Sequence, residues 1–177
     1  MHLHFRTEQR LPYPVEQVFA FFADPQNLPR LMPAWQRALI ESAALIPPPP
    51  PPHPFPGSER IQAGSGSRMT LTVCPFPFSP IRLRWEALIE DFRWLEGFCD
   101  VQTRGPFAYW RHCHTVSAAD NGTLLTDSVE YELPLGALGM FANWVVVRHQ
   151  LAATFRFRQK RTLELLAKPS LATPFVR

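Results

Sequence analysis

The sequence predicts one α+β domain, built from a strand, two short helices, about six further antiparallel strands and a long C-terminal helix. Three observations predict it. Apolar residues alternate with a period of two in several segments, they follow helical spacing soon after the first strand, and they return to helical spacing near the end of the chain. A chain of 177 residues can bury about two-thirds of its unfolded surface. We therefore expect a single domain over residues 1–167 and a flexible tail over residues 168–177.

The first elements are a strand and two helices. Residues 2–11 alternate loosely, as a half-buried strand does. Pro14 suits a helix start, and the helical face that follows is apolar. Asp24 and Pro25 end this helix, and Asp24 can cap a second short helix over residues 25–31. The predicted inner face of the first helix consists of Val15, Val18, Phe19 and Phe22.

Further strands are predicted at residues 36–45, 67–74, 81–89 and 94–103, because the two-residue period returns there. The third of these has the cleanest alternation, with Arg82, Arg84 and Glu86 facing water. Its predicted inward residues are Ile81, Leu83, Trp85, Ala87 and Ile89.

A proline-rich insert separates the first two of these strands. Residues 47–52 are all proline, a run that adopts polyproline II or turn conformation and cannot lie inside a sheet. We expect a stiff loop over residues 47–57. It could also contact a protein partner, although no Arg or Lys flanks it.

Residues 105–116 and 124–134 form a predicted hairpin. In the second segment apolar residues occupy odd positions, so Asp127 faces inward with Tyr131. A loop over residues 119–122 pairs Ala118 with Thr123. That register places His114 opposite Asp127, His112 opposite Val129, and Trp110 opposite Tyr131.

The inward His114 and Asp127 admit three interpretations. They form a buried structural pair, in which neither group lacks a partner. Alternatively they line a cavity, where Asp127 sets the tautomer of His114 and the other ring nitrogen meets a ligand. A third and weaker alternative is zinc bound by His112 and His114, with Asp127 as third ligand. We assign neither a metal nor a cofactor.

The C-terminal helix begins after Gly136 and extends to about Ala167. Its late turns are basic, which suits the carbonyl end of a helix and predicts a solvated face. Residues at helical spacing form a predicted inward stripe of Leu138, Phe141, Val145, Ala152, Phe155 and Leu163.

Composition excludes several classes of function. A net charge of +3 is small for a nucleic-acid binder, and we expect no nucleic-acid partner. There is no apolar run long enough to span a bilayer and no secretory signal at the N-terminus. Three cysteines without CxxC spacing indicate neither a disulfide framework nor a zinc knuckle, so we expect a cytoplasmic protein. No hydrolase or nucleotide-binding motif is present.

The order of elements resembles the helix-grip fold of the START and Bet v 1-like superfamily, which includes relatives of polyketide cyclases and dehydrases. The stretch from Pro14 to Pro33 looks like the opening of that superfamily, with its Asp-Pro-x-x-Leu turn. The pattern from Trp110-x-His-x-His to Gly136 is similar to a bacterial branch. The resemblance implies an antiparallel sheet of about seven strands wrapped around the long helix, with a cavity between them.

The resemblance implies binding of a small hydrophobic molecule of the lipid, polyketide or aromatic type, which we favour. One alternative is a cyclase or dehydratase, in which His114 and Asp127 act as an acid–base pair and Tyr131 or His112 supplies a proton. Another is a protein-interaction module that uses the proline loop and the basic late helix. The superfamily shares no catalytic residue that could be transferred. The predicted ligand-binding residues are Trp85, Phe98, Trp110, His112, His114, Asp127, Tyr131, Phe141 and Trp144.

Overall fold

The computed structural model describes residues 2–167 and contains one seven-stranded antiparallel sheet. The strands lie side by side in the order β1-β7-β6-β5-β4-β3-β2. The predicted number of strands is confirmed, and the expected tail over residues 168–177 lies outside the described residues. The strands are β1 Leu3–Leu11, β2 Leu39–Ala44, β3 Arg68–Val73, β4 Leu83–Arg93, β5 Gly97–Arg104, β6 Tyr109–Ala119 and β7 Gly122–Glu132.

Short helices follow β1, as predicted. Helix α1 spans Val15–Ala23 and packs its Val18 and Phe19 against the sheet, both of them almost fully buried. The predicted second helix is instead a series of 3₁₀ turns, because prolines recur there and cannot donate the hydrogen bonds of a continuous helix. The Asp24 side chain accepts from the backbone N–H of Gln26 at 2.9 Å, which confirms its capping role. The turns are Pro25–Asn27, Pro29–Leu31 and Ala34–Gln36.

The C-terminal helical segment has three parts: α2 Ala137–Ala142, a π turn at Asn143–Val147, and α3 Arg148–Leu166. Together with the sheet they confirm the predicted helix-grip arrangement. Among residues 2–167, no helix combines the length and the apolar character needed to cross a membrane.

The π turn overturns the predicted inward stripe of the C-terminal helix. A π turn is wider than an α-helical turn, so residues four apart stay on one face there. The buried positions accordingly step by four, and the stripe phased at 3.6 residues points partly to solvent. Leu138, Phe141 and Val145 are exposed, whereas Phe155 is buried as predicted. The inward positions of this region are Gly139, Asn143, Val147, Leu151 and Phe155.

The central hairpin has the predicted register. His114 pairs with Asp127, and Trp110 pairs with Tyr131. The loop is shorter than expected, because Ala119 pairs with Gly122 and leaves two residues at the turn. Gly122 has a φ of 142°, and a Cβ there would overlap the backbone of β1 at its end. Only glycine fits this close approach.

The proline insert is tied to the domain at several points. Trp94 donates its indole N–H to the carbonyl of Pro49 at 2.7 Å, and Gly64 N–H donates to Ile46 at 2.9 Å. Phe55 is buried and meets the Trp94 ring edge-on at 5.7 Å. The insert therefore lies against the sheet end, without pairing into the sheet.

The cysteines require a correction. Cys99 and Cys113 are directly opposite each other on β5 and β6 and form a disulfide, whereas Cys74 is buried and free. The expectation of no disulfide was wrong, because spacing along the chain says nothing about which strands become neighbours. The side chains of both bonded cysteines leave the sheet on the side opposite His112 and His114, as the alternation along each strand requires.

Candidate functional site

A cavity of about 370 Å³ lies between the sheet and the helical elements. Side chains from the sheet form its floor, α1 and the 3₁₀ turns close one side, and the C-terminal helix covers it. Its volume lies within the range typical of small-molecule sites. Representative apolar lining residues are Phe22, Leu31, Leu71, Trp85, Leu151 and Phe155.

Two tryptophans shape the apolar part of the cavity. The rings of Trp85 and Trp110 stand perpendicular, with centroids 5.0 Å apart, and Phe107 packs against both. Edge-to-face packing of this kind holds large aromatic side chains in fixed orientations. The result is a rigid wall with flat surfaces beside the polar residues.

The polar wall consists of Asp100 from β5 and of His112 and His114 from β6. Asp100 and His112 are paired across the two strands, and the two histidines lie two residues apart, so all three side chains reach the same face. Asp100 Oδ2 lies 3.0 Å from His112 Nδ1. The imidazole centroids are 4.2 Å apart, and all three residues line the cavity.

Asp127 lies behind this wall. Its Oδ1 is 2.9 Å from His112 Nε2 and 2.7 Å from His114 Nδ1. The contact with His112 is a well-formed hydrogen bond, whereas His114 Nδ1 approaches the carboxylate closely without an aligned hydrogen bond among the described residues. Asp127 is buried and does not line the cavity, so it acts on the cavity through the two histidines.

Each of the four side chains in this cluster changes the pKa of its neighbours. They are Asp100, His112, His114 and Asp127. Burial opposes charge on His112, but Asp100 and Asp127 outweigh it and raise the pKa of His112. Burial and the neighbouring His112 lower the pKa of His114. Burial also opposes the carboxylate charges, but the two histidines outweigh it and hold the pKa of Asp127 and of Asp100 below the usual range. At neutral pH, His112 is therefore cationic, His114 is neutral and both carboxylates are ionised.

The structure brings five of the nine predicted site residues into the cavity lining. They are Trp85, Phe98, Trp110, His112 and His114. The remaining four lie elsewhere.

Tyr131 and Asp127 are buried outside the lining. Tyr131 donates its hydroxyl to Asn143 Oδ1 at 2.8 Å, so that group is engaged with the helix. Phe141 and Trp144 are 64% and 61% exposed, and the expectation that they line the cavity is wrong. The physical reason is the π turn, which rotates them away from the sheet.

Two residues of the site, Asp100 and Arg158, were not predicted from the sequence. Both line the cavity, and Asp100 also accepts from the Trp110 indole N–H at 3.3 Å. Alternation from Phe98 along β5 could have indicated that Asp100 faces inward. Arg158 lies on the late helix, whose basic residues we expected to be solvated. Its guanidinium instead lies 5.2 Å from the centroid of the Phe155 ring.

A sheet wrapped on a long helix, with an apolar cavity and a polar wall between them, defines a helix-grip protein. Residues 11–156 match the family model described as "Polyketide cyclase / dehydrase and lipid transport". The chain belongs to this family, and the predicted superfamily is confirmed. A search of curated proteins found no match.

Solved structures show the same fold. The ZhuI aromatase/cyclase from a Streptomyces species is 11% identical with a TM-score of 0.66, and the match covers 94% of each chain. Protein CV1439 from Chromobacterium violaceum is 13% identical with a TM-score of 0.66, covering 94% of this chain and 98% of that one. Norcoclaurine synthase from Thalictrum flavum is 16% identical with a TM-score of 0.57, covering 93% of this chain and 88% of that one. At these identities the likeness concerns the fold alone.

Proposed function

We propose that this protein binds a small hydrophobic molecule of the lipid, polyketide or aromatic type in the cavity between sheet and helix. The observation that carries the proposal is a cavity of about 370 Å³ whose lining is mainly apolar and aromatic but ends in a charged wall. Sites that bind and orient small organic ligands typically have a few polar groups among many apolar ones. The family description, which includes lipid transport, supports this function.

Two parts of the lining can contact the polar end of such a ligand. Arg158 can donate to an oxygen and neutral His114 can accept from a hydroxyl, whereas both ring nitrogens of His112 are already engaged by Asp100 and Asp127. Gln36 also lines the cavity, and its side-chain carbonyl oxygen is buried without a hydrogen-bond partner among the described residues. A ligand with an apolar body and a hydroxyl group would donate to that acceptor, and an oxygen of the same ligand would contact the charged wall.

The first experiment is to fill the cavity. Ala87 is buried in the floor, so Ala87→Phe should occupy ligand space, whereas Ala43→Phe on exposed β2 is the matched control. Binding of an anilinonaphthalene probe, detected by its own fluorescence and by quenching of Trp85 and Trp110, should weaken at least tenfold in the first variant only.

Native mass spectrometry of gently purified protein complements this experiment, because a retained mass identifies the ligand class. Equal probe binding by wild type and Ala87→Phe, together with a bare protein mass, would remove support for the cavity as a binding site.

A second candidate function is a cyclase or dehydratase reaction, and the adjacent imidazoles favour it. Neighbouring groups with pKa values shifted in opposite directions are a common basis for acid–base catalysis. Neutral His114, which lines the cavity, would accept a proton from a carbon next to a carbonyl, and the Arg158 guanidinium in the same lining would stabilise the enolate oxygen that forms, since both ring nitrogens of His112 are engaged by carboxylates. Tyr131 is a poor candidate for the acid, since its hydroxyl bonds Asn143 outside the lining.

Hydrogen–deuterium exchange at the α-carbon of an aryl β-diketone, followed by NMR, tests this reaction. The wild-type protein should accelerate exchange, His114→Gln should lose at least 100-fold of the acceleration, and exposed His149→Gln should retain it. Exchange at the same rate in both variants would argue against His114 as a base while leaving ligand binding intact.

The protein-interaction module stays a further prediction. Arg148 and Arg156 are exposed and available to a partner, whereas Arg158 belongs to the cavity. The proline insert already supplies its Pro49 carbonyl to Trp94. Co-purification with and without the Arg148→Ala/Arg156→Ala changes tests this function. Cytoplasmic localisation and the lack of a nucleic-acid partner also stay predictions.

A further inference from the structure

We propose that Asp100, His112 and His114 form a binding site for zinc or a similar divalent transition-metal ion. One ligand atom from each residue lies within 4.8 Å of the other two. Two imidazoles and a carboxylate are a donor set that such ions prefer, and the residues come from two neighbouring strands of the rigid sheet. This inference goes beyond hydrophobic-ligand binding and does not depend on it.

The distances suit a metal with small adjustments. Tetrahedral zinc with bonds of about 2.0 Å separates its ligand atoms by about 3.3 Å. Asp100 Oδ2 and His112 Nδ1 are already 3.0 Å apart, and a ring nitrogen of His114 lies within 4.8 Å of a ligand atom of each, so it must approach by about 1.5 Å at most. Coordination replaces the proton between Asp100 and His112, which leaves to solvent.

Asp127 provides the support that metal-binding histidines usually have. Its Oδ1 contacts His112 Nε2 and His114 Nδ1, so one carboxylate holds the opposite nitrogens of both rings. This leaves His112 Nδ1 and His114 Nε2 as the atoms for the ion. Such outer carboxylates fix tautomer and ring orientation. Asp127 therefore supports the ligands from behind, whereas the weakest of the three sequence-based interpretations made it the third ligand itself.

The fourth coordination position faces the cavity. All three proposed ligands line it, so a water molecule or a ligand oxygen can complete the coordination. Two carboxylates balance the charge of the ion, and Arg158 adds a positive charge nearby. An anionic oxygen, such as a carboxylate or an enolate, fits this position best.

The test uses the full chain after treatment with a chelator, with Zn²⁺ in calorimetry and Co²⁺ in visible absorption. Wild-type protein should bind one ion and give the intense bands of tetrahedral Co²⁺. Asp100→Asn and His114→Gln should each weaken binding about 100-fold or more. The control is His2→Gln/His4→Gln, because these histidines have the same spacing but lie exposed at the start of β1 and just before it; it should bind like wild type.

Three results would overturn the proposal: no ion bound at millimolar concentration, unchanged affinity in both site variants, or loss of binding in the His2/His4 control. Circular dichroism of the metal-free variants shows whether they are folded. Asp100 is partly exposed, so Asp100→Asn should stay folded. If His114→Gln is unfolded, the metal affinity of Asp100→Asn decides whether the proposal holds. Probe binding by metal-free protein is measured separately and can succeed or fail independently.

Discussion

The Asp127→Asn substitution tests the electrostatic description of the polar wall. Asp127 is 5% exposed and contacts both His112 and His114, so the change removes a buried negative charge and leaves the cationic His112 with Asp100 alone. Asparagine has nearly the same shape, which keeps packing constant. The effect on stability therefore reports the charge interactions.

The expected magnitude follows from the burial of the pair. Removing one partner of a buried, hydrogen-bonded ion pair costs about 3–5 kcal/mol, because the other charge stays in the dry interior. For a domain of this size, that lowers the melting temperature by roughly 6–20 °C. We therefore expect clear destabilisation at pH 7 in the metal-free protein.

The contribution of Asp127 to the free energy of unfolding depends on pH, and the direction of that dependence follows from its pKa. The pKa of Asp127 in the folded protein is held below its usual range, so the carboxylate binds protons more readily in the unfolded chain. Its contribution to the free energy of unfolding is fully present above the unfolded-state pKa, about 3.9, and is lost as the pH falls through the folded-state pKa. Asp127 also helps to raise the pKa of His112, so the difference in stability between wild type and Asp127→Asn should grow as the pH falls from 7 to about 5. At lower pH it should shrink as the Asp127 carboxylate is protonated.

Urea unfolding followed by tryptophan fluorescence between pH 3 and 7 measures these differences. The control is Asp91→Asn: Asp91 pairs with Arg111 at the surface, where an ion pair contributes about 1 kcal/mol or less. Asp91 also has a φ of 53°, a conformation that asparagine adopts readily. A loss below about 1 kcal/mol for Asp127→Asn at pH 7, or a loss that does not change with pH, would refute the description of a buried charged cluster.

Three further predictions concern stability, the sheet and the cysteines. Tyr131→Phe should lose about 1–2 kcal/mol in urea unfolding, because Asn143 loses its buried donor, but should keep wild-type probe affinity; a tenfold weaker affinity would place Tyr131 in the site. Gly97→Ala should cost more than about 3 kcal/mol, because its Cβ would overlap the carbonyl of His114, and a near-neutral result would contradict that strand contact. Alkylation of the unfolded, unreduced chain should label one cysteine, Cys74, as seen by mass spectrometry; three labels would contradict the disulfide.

The sequence predicted the hairpin register because its pattern is local. Odd-numbered apolar residues in β7 determine which side chains face inward, and a short loop allows one alignment with β6. His114 and Asp127 were therefore paired correctly from the sequence. The sequence could not show that Asp127 lies behind the cavity wall and not in it, because that position depends on how the side chains pack.

The two cavity residues that were not predicted from the sequence, Asp100 and Arg158, are placed by contacts between distant segments. Asp100 meets His112 only because β5 aligns with β6, and that alignment follows a turn and irregular pairing between β4 and β5. Arg158 reaches the cavity because of the phase of α3, which the π turn sets. A regular helical period cannot predict an insertion of that kind.

The π turn has a consequence for how cavities in this fold can diverge. Removing one residue between Asn143 and Val146 would convert the wide turn to an ordinary α-helical one and rotate α2 by about 100° relative to α3. Leu151 and Phe155 could keep their places in the roof while Trp144 or Phe141 turned inward beside them. A single-residue deletion could thus change the volume of the cavity without altering any side chain that lines it now.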